Sequence, residues 1–370
     1  MSILLSTFYF FYFSIVGVYI IFLPKVLSTI GYSASEIGII FATAPMIRFL
    51  LPFAFIKGLK LNNKAFNVAL IFMLVSSISF YFTRDSFSNL LLSNIGMGIG
   101  LSLILPYIEV IALEEIGKQR YGKIRLFGSI GFILVALVLV RYLDSADIAF
   151  IFLMTLAFLT SIFAFIIVKK SHHIQTKKET IIKNDINILR DWKLWLGLTL
   201  MQVSFGSFYN FFTIYETDFG VSLDMTIYLW SFGVLAEIVM LYSQGKLLNK
   251  NLLYILQISI LLTAIRWFLV FLYPQNLPMM FFTQAIHAFS FALFHSTAIV
   301  YLFGLYKHRS LAQQFFLGIT YGLGGFLGAL IAGYVYEEIP SYLFLSSSFL
   351  AMLSFFFIYI WTNNQQSSSH

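Results

Sequence analysis

Residues 169–193 read KKSHHIQTKKETIIKNDINILRDWK, the one long polar interruption in a chain that is otherwise a succession of apolar runs. Six runs precede it, at roughly 3–24, 36–56, 66–82, 87–113, 121–142 and 147–169. Six follow, at roughly 193–217, 222–244, 251–273, 277–305, 311–335 and 340–361. Each is close to the run of about 20 apolar residues that a hydrocarbon core about 30 Å thick demands. The runs are continuous rather than alternating, which selects helices over a β-barrel. The expected fold is therefore an all-α polytopic membrane protein. Twelve transmembrane helices form two six-helix bundles, residues 1–169 and 193–362, joined by a central loop at 170–192 and followed by a polar tail at 363–370.

Composition agrees. Of 370 residues 59% are hydrophobic and only 11% charged, with a mean hydropathy of +0.87. Soluble domains carry about 25% charged residues, so this chain could not cover a water-facing surface. Cysteine is absent, which removes disulfides, thiol catalysis and cysteine-type metal sites. The net charge of +7 is a matter of placement. Lys57, Lys60 and Lys64, then Lys118, Arg120, Lys123 and Arg125, the central-loop lysines, and Lys246, Lys250, Lys307 and Arg309 all follow even-numbered runs. Basic residues accumulate on the cytoplasmic side, so both termini are expected there, in a bacterial inner membrane. The charge marks topology and gives no reason to expect nucleic acid.

The halves echo each other. GYSASEIG (31–38) precedes the second run and GVSLDMTI (220–227) the eighth, while GLKLNNK (58–64) and GKLLNKN (245–251) follow them. The offsets, 189 and 187, argue for a duplicated unit. Transporters are commonly built from such repeats, with binding near the midplane.

Once charges in loops and near helix ends are set aside, four remain within apolar runs: Arg48, Glu109, Glu237 and Arg266. Each would cost about 2.5–3.5 kcal/mol on the mildest insertion scale, so they are expected to be paired or to face a wet cavity. The turn near 117 puts Glu109 and Arg125 at similar depth, and the turn near 275 puts Arg266 opposite residue 284, one turn from His287. His287 and His295 differ by about 80° around an α-helix and can share one broad face. An imidazole titrates near neutrality and handles protons. In SFYNFF (207–212), Tyr209 and Asn210 offer hydrogen bonds beside aromatic faces. Glycines of GGFLG (324–328), with Gly128 and Gly131, allow close helix approach.

IRFL (47–50), PYIEV (106–110), YGKIRLFGSIGF (121–132), YLWSFGVLAEI (228–238), AIRW (264–267) and IHAFSFALFH (286–295) resemble the major facilitator superfamily. The resemblance is closest to its lactose-permease-like branch, in the 3-phenylpropionate transporter group. It implies a proton symporter working by alternating access, with protons as the coupling ion and no other cofactor. Glu237, His287 and Arg266 would carry proton coupling; Arg48, Tyr209, Asn210 and His295 would meet the substrate; Glu109 and Arg125 would form a charge pair. Two departures stand out. GLKLNNK lacks the acidic residue usual in the loop after the second helix, and Ser290 stands where lactose permeases have a glutamate. The expectation is uptake of a small organic solute, such as an aromatic carboxylate, by a monomer in the bilayer. Proton antiport exporting a hydrophobic compound is the alternative. An intramembrane enzyme would need a metal motif or a catalytic loop, and there is no HExxH.

Overall fold

The computed structural model describes residues 1–57, 61–171 and 186–367. Lys60, His172, His173, Lys177, Lys178 and Lys183, most of the expected central loop, and residues 368–370 of the expected tail lie outside the described residues. Among the described residues there is no strand, and eleven helices are long and apolar enough to cross a membrane. These are α1 (Ser2–Thr29), α2 (Ala34–Phe55), α3 (Asn63–Thr83), α4 (Phe87–Gly117), α5 (Arg120–Tyr142), α6 (Ala146–Lys170), α8 (Leu223–Ser243), α9 (Leu252–Leu272), α10 (Leu277–Leu305), α11 (Leu311–Glu338) and α12 (Pro340–Gln365). The twelfth, α7, is two 13-residue pieces, Trp192–Ser204 and Gly206–Asp218, meeting at Phe205. Together the two pieces cover the apolar run expected over 193–217. The last helix also continues to Ser367, so residues 363–367 of the expected tail are helical.

The chain divides into two compact units, Met1–Lys178 and Glu179–His370. In the first, the glycines of SNIGMGIG (93–100) make α4 the central helix. A Cβ built on Gly98 would lie 2.8 Å from Ala44 Cα in α2, and one on Gly100 2.7 Å from Met73 Cβ in α3. Backbones this close gain dispersion contact without needing large side chains to interlock. Tyr12 of α1 ties in by donating to the Leu101 carbonyl at 2.8 Å. Buried Asn94 accepts from Tyr19 at 2.7 Å and donates to Thr43 at 2.8 Å, which joins α1, α4 and α2.

The duplication is visible in local geometry. Gly31 and Gly220 both have positive φ, +104° and +90°, where a side chain would strain. Two residues later Ser33 and Ser222 cap α2 and α8, accepting from the amides of Glu36 and Met225, each at 3.3 Å. Glu36 returns the bond to the Ser33 amide at 2.9 Å, which completes a capping box. Asn62 and Asn251 cap α3 and α9 in the same way.

In each unit the first helix packs on the fifth through glycine. A Cβ on Gly17 of α1 would meet Val135 of α5 at 2.8 Å, and Gly131 of α5 lies against the Phe10 carbonyl. In the second unit Gly206 of α7 lies directly on the Gly328 backbone of α11, and a Cβ on Gly324 would meet the Thr199 carbonyl at 2.9 Å. The break in α7 falls at this crossing. Many large apolar side chains are exposed along the spans, among them Ile71, Val75, Phe82, Leu235, Val239 and Phe349. Such a surface suits lipid and not water.

Candidate functional site

Three helices of the second unit converge on Arg266. Gln284 and His287 are three residues apart on α10 and so share a helix face. Arg266 Nη1 meets His287 Nδ1 at 2.9 Å, and Nη2 donates to Gln284 Oε1 at 3.0 Å. A guanidinium can only donate. His287 Nδ1 therefore accepts, and its ring proton sits on Nε2. That nitrogen is 4.0 Å from Glu237 Oε2 on α8, beyond hydrogen-bond range. Gly233, one turn before Glu237, makes room: a Cβ there would lie 3.2 Å from Gln284 Oε1 and 3.6 Å from His287 Cδ2.

Aromatic faces enclose the cluster. The Arg266 guanidinium carbon is 4.2 Å from the Trp267 ring centre and 4.5 Å from that of Phe208. Phe208 lies 5.4 Å and Phe205 6.2 Å from the imidazole of His287. Arg266 and Gln284 are fully buried, yet Arg266 Nε and Gln284 Nε2 have no hydrogen-bond partner. Buried donors without acceptors are rare in native proteins.

The two histidines lie in one row. Phe291 stacks on His287 at 5.5 Å with only 7° between the rings, and on His295 at 6.3 Å. A strictly α-helical i, i+4, i+8 ladder drifts about 40° per step. The π-helical stretch Ala288–Leu293 widens the turn between the histidines and takes up that drift. His295 Nδ1 meets the Tyr321 hydroxyl at 2.7 Å, and Tyr321 itself belongs to the π-helical stretch Phe316–Leu323 of α11. Such bulges recur at functional sites. Tyr209 packs against Phe205 at 5.4 Å. Asn210 spends its amide on the Gly206 carbonyl at 2.8 Å, beside the break in α7.

In the first unit Glu109 of α4 is 3.5 Å from Arg125 of α5, and Tyr121 donates to the same carboxylate at 2.9 Å. Arg125 lies over the Phe13 ring at 3.9 Å, on the surface that Gly128 leaves open. Arg48 is exposed. The structure thus brings together Glu237, Arg266 and His287, and separately Glu109 and Arg125; His295 joins the first group through Phe291, while Tyr209 and Asn210 lie along α7.

Sequence reasoning placed residue 284 opposite Arg266 without giving the Gln284 amide a role, and missed Gly233, Trp267, Phe208 and Tyr321. An uncharged amide in an apolar run gave no warning, and the aromatics were hidden among 43 phenylalanines. It also missed Glu216, fully buried near the end of α7, because it lies one residue from the end of the run at 193–217 and reads as a helix-end charge.

The model of the MFS_1 like family matches residues 2–346 of the chain. The probable 3-phenylpropionic acid transporter of Escherichia coli (strain K12) is 23% identical over 360 residues, 94% of either chain. The crystal structure of the nucleoside transporter NupG superposes with a TM-score of 0.78 at 18% identity, covering 98% of both chains. That of a D-xylose-proton symporter gives 0.70 at 11% identity over 96% of both.

Proposed function

The chain belongs to the MFS_1 like family and is a multi-pass membrane transporter, not an enzyme; from that premise we propose that it is a proton-coupled importer of a small organic anion, with aromatic carboxylates the substrate class. The observation that carries the reading is the bond from Arg266 to the unprotonated Nδ1 of His287, with Glu237 on the far side of the ring. When His287 takes a second proton, Nδ1 can no longer accept and two cations stand in contact. Arg266 must then turn away while the imidazolium pairs with Glu237. Proton position and arginine orientation are thereby linked as one two-state element, which is what coupling requires. The released guanidinium, with its unpartnered Nε, suits a carboxylate, and Trp267, Phe208, Phe205 and Phe291 suit a ring. The likeness to a probable 3-phenylpropionic acid transporter supports the same class.

On this reading the carrier works by alternating access as a monomer in a bacterial inner membrane, and the lysine distribution supports cytoplasmic termini. A proton entering with a monovalent carboxylate moves no net charge, so the pH gradient is the drive: each unit supplies about 1.4 kcal/mol, roughly a ten-fold gradient of solute. In proteoliposomes an inward proton gradient is expected to drive accumulation of 3-phenylpropionate. Glu237→Gln abolishes that uphill uptake while sparing exchange. Unchanged accumulation in the variant would remove Glu237 from the mechanism, and accumulation only under the reversed gradient would mark an exporter.

A further inference from the structure

The second piece of α7 carries an ionisable group that this coupling scheme does not use. Glu216 is fully buried, and neither carboxyl oxygen has a hydrogen-bond partner. Its own helix offers Tyr215, whose hydroxyl is likewise unpartnered, and Asp218, which accepts from Tyr336 of α11 at 2.8 Å. The other acids of α11, Glu337 and Glu338, are exposed, as is Asp224 at the start of α8. Glu237 of α8 belongs to the Arg266 cluster, and α12 carries no charged side chain. Among the described residues, α8, α11 and α12 carry no lysine or arginine that could face Glu216. A dry, unpaired carboxylate is poorly tolerated in a protein interior, and a protein commonly resolves it by keeping the proton.

The piece that bears Glu216 is mechanically distinct. It begins at the break at Phe205, where Gly206 lies on Gly328. A short set of directional bonds holds it: Tyr336 to Asp218, Ser347 to Ser207 at 2.7 Å, and Trp230 to Thr213 at 3.1 Å. Its last carbonyls are closed by the turn that follows, with the Val221 amide donating to the Glu216 carbonyl at 2.9 Å. We propose that Glu216 is a second proton-binding site, holding its proton while this piece of α7 is packed on α11 and α12 and yielding it when the piece parts from them. The protonation itself is independent of the transport reading; only its coupling to a transport cycle rests on it.

Infrared spectroscopy of the protein in lipid vesicles at neutral pH tests this without a substrate. A carboxylic-acid C=O band is expected in the wild type, lost in Glu216→Gln, retained but shifted in Glu216→Asp, and retained in Glu237→Gln. Tyr336→Phe removes the Asp218 latch and is expected to speed hydrogen–deuterium exchange of that acid about tenfold, the worth of one hydrogen bond. A spectrum unchanged by both Glu216 substitutions overturns the site, whatever uptake assays say of Glu237. A band lost in Glu237→Gln and kept in Glu216→Gln overturns it as well, and leaves the first coupling scheme standing. Exchange unaffected by Tyr336→Phe overturns the link to movement of the α7 piece.

Discussion

Arg266 shows what a single buried cation can be asked to do. Its planar fork reaches His287 and Gln284 at once while its faces rest near Trp267 and Phe208. Lysine keeps the charge but has neither the fork nor the flat faces. Arg266→Lys is therefore expected to lose uphill uptake as fully as Glu237→Gln. It also lowers Tm, since Gln284 and His287 each lose a charge-assisted partner worth about 1.5–3 kcal/mol. Retention of coupled uptake by the lysine variant would mean that charge alone suffices. The charged members of this cluster were legible in the sequence because an ion in an apolar run needs a reason to be there. Gln284 was not legible, because an amide costs little enough to pass as packing. Glu216 escaped for a different reason: distance along the chain from a presumed helix end does not measure burial.

At the level of elements, the helices themselves were readable from apolar length, whereas the caps at Ser33, Asn62, Ser222 and Asn251 emerge only in the structure. Their irregularities were not. The π-helical stretches of α1, α10 and α11 and the break in α7 leave hydropathy unchanged, because they alter the turn and not the side chains. The glycines held part of that information. Gly206 is where α7 breaks and where it touches Gly328, so a methyl group there must push two backbones apart. Gly206→Ala is expected to cost about 1–3 kcal/mol, the usual price of overpacking. A domain of this size then loses several degrees of Tm, at about 2–4 °C per kcal/mol. Gly245→Ala, with open space around the added methyl, serves as the control and leaves Tm unchanged. Equal Tm values for the two variants would show that the α7–α11 crossing is slack.

For the molecule as a whole, the duplication constrains more than either half does. Gly31 and Gly220, Ser33 and Ser222, and Asn62 and Asn251 are each 189 residues apart and play the same conformational role. The two units nonetheless placed their ionisable groups differently, as a Glu109–Arg125 pair between α4 and α5 in one and around Arg266 in the other. A repeat fixes backbone turns that must stay and frees side chains that can change, which is why the fold was legible in the sequence and the chemistry only partly so. A unit of six spans returns the chain to the side it started from, so residues at equivalent places must face the same solvent. Lys57 and Lys246, also 189 apart, and Asp85 and Gln275 after α3 and α9, are all exposed. The chain has no cysteine of its own, so a single introduced thiol reports alone. Lys57→Cys and Lys246→Cys are expected to react with a membrane-impermeant maleimide only in inverted vesicles, and Asp85→Cys and Gln275→Cys only in intact cells. Opposite labelling within either pair would break the repeat as a topological unit. Concordant labelling with both sides exchanged would keep the repeat and reverse the orientation drawn from the lysines.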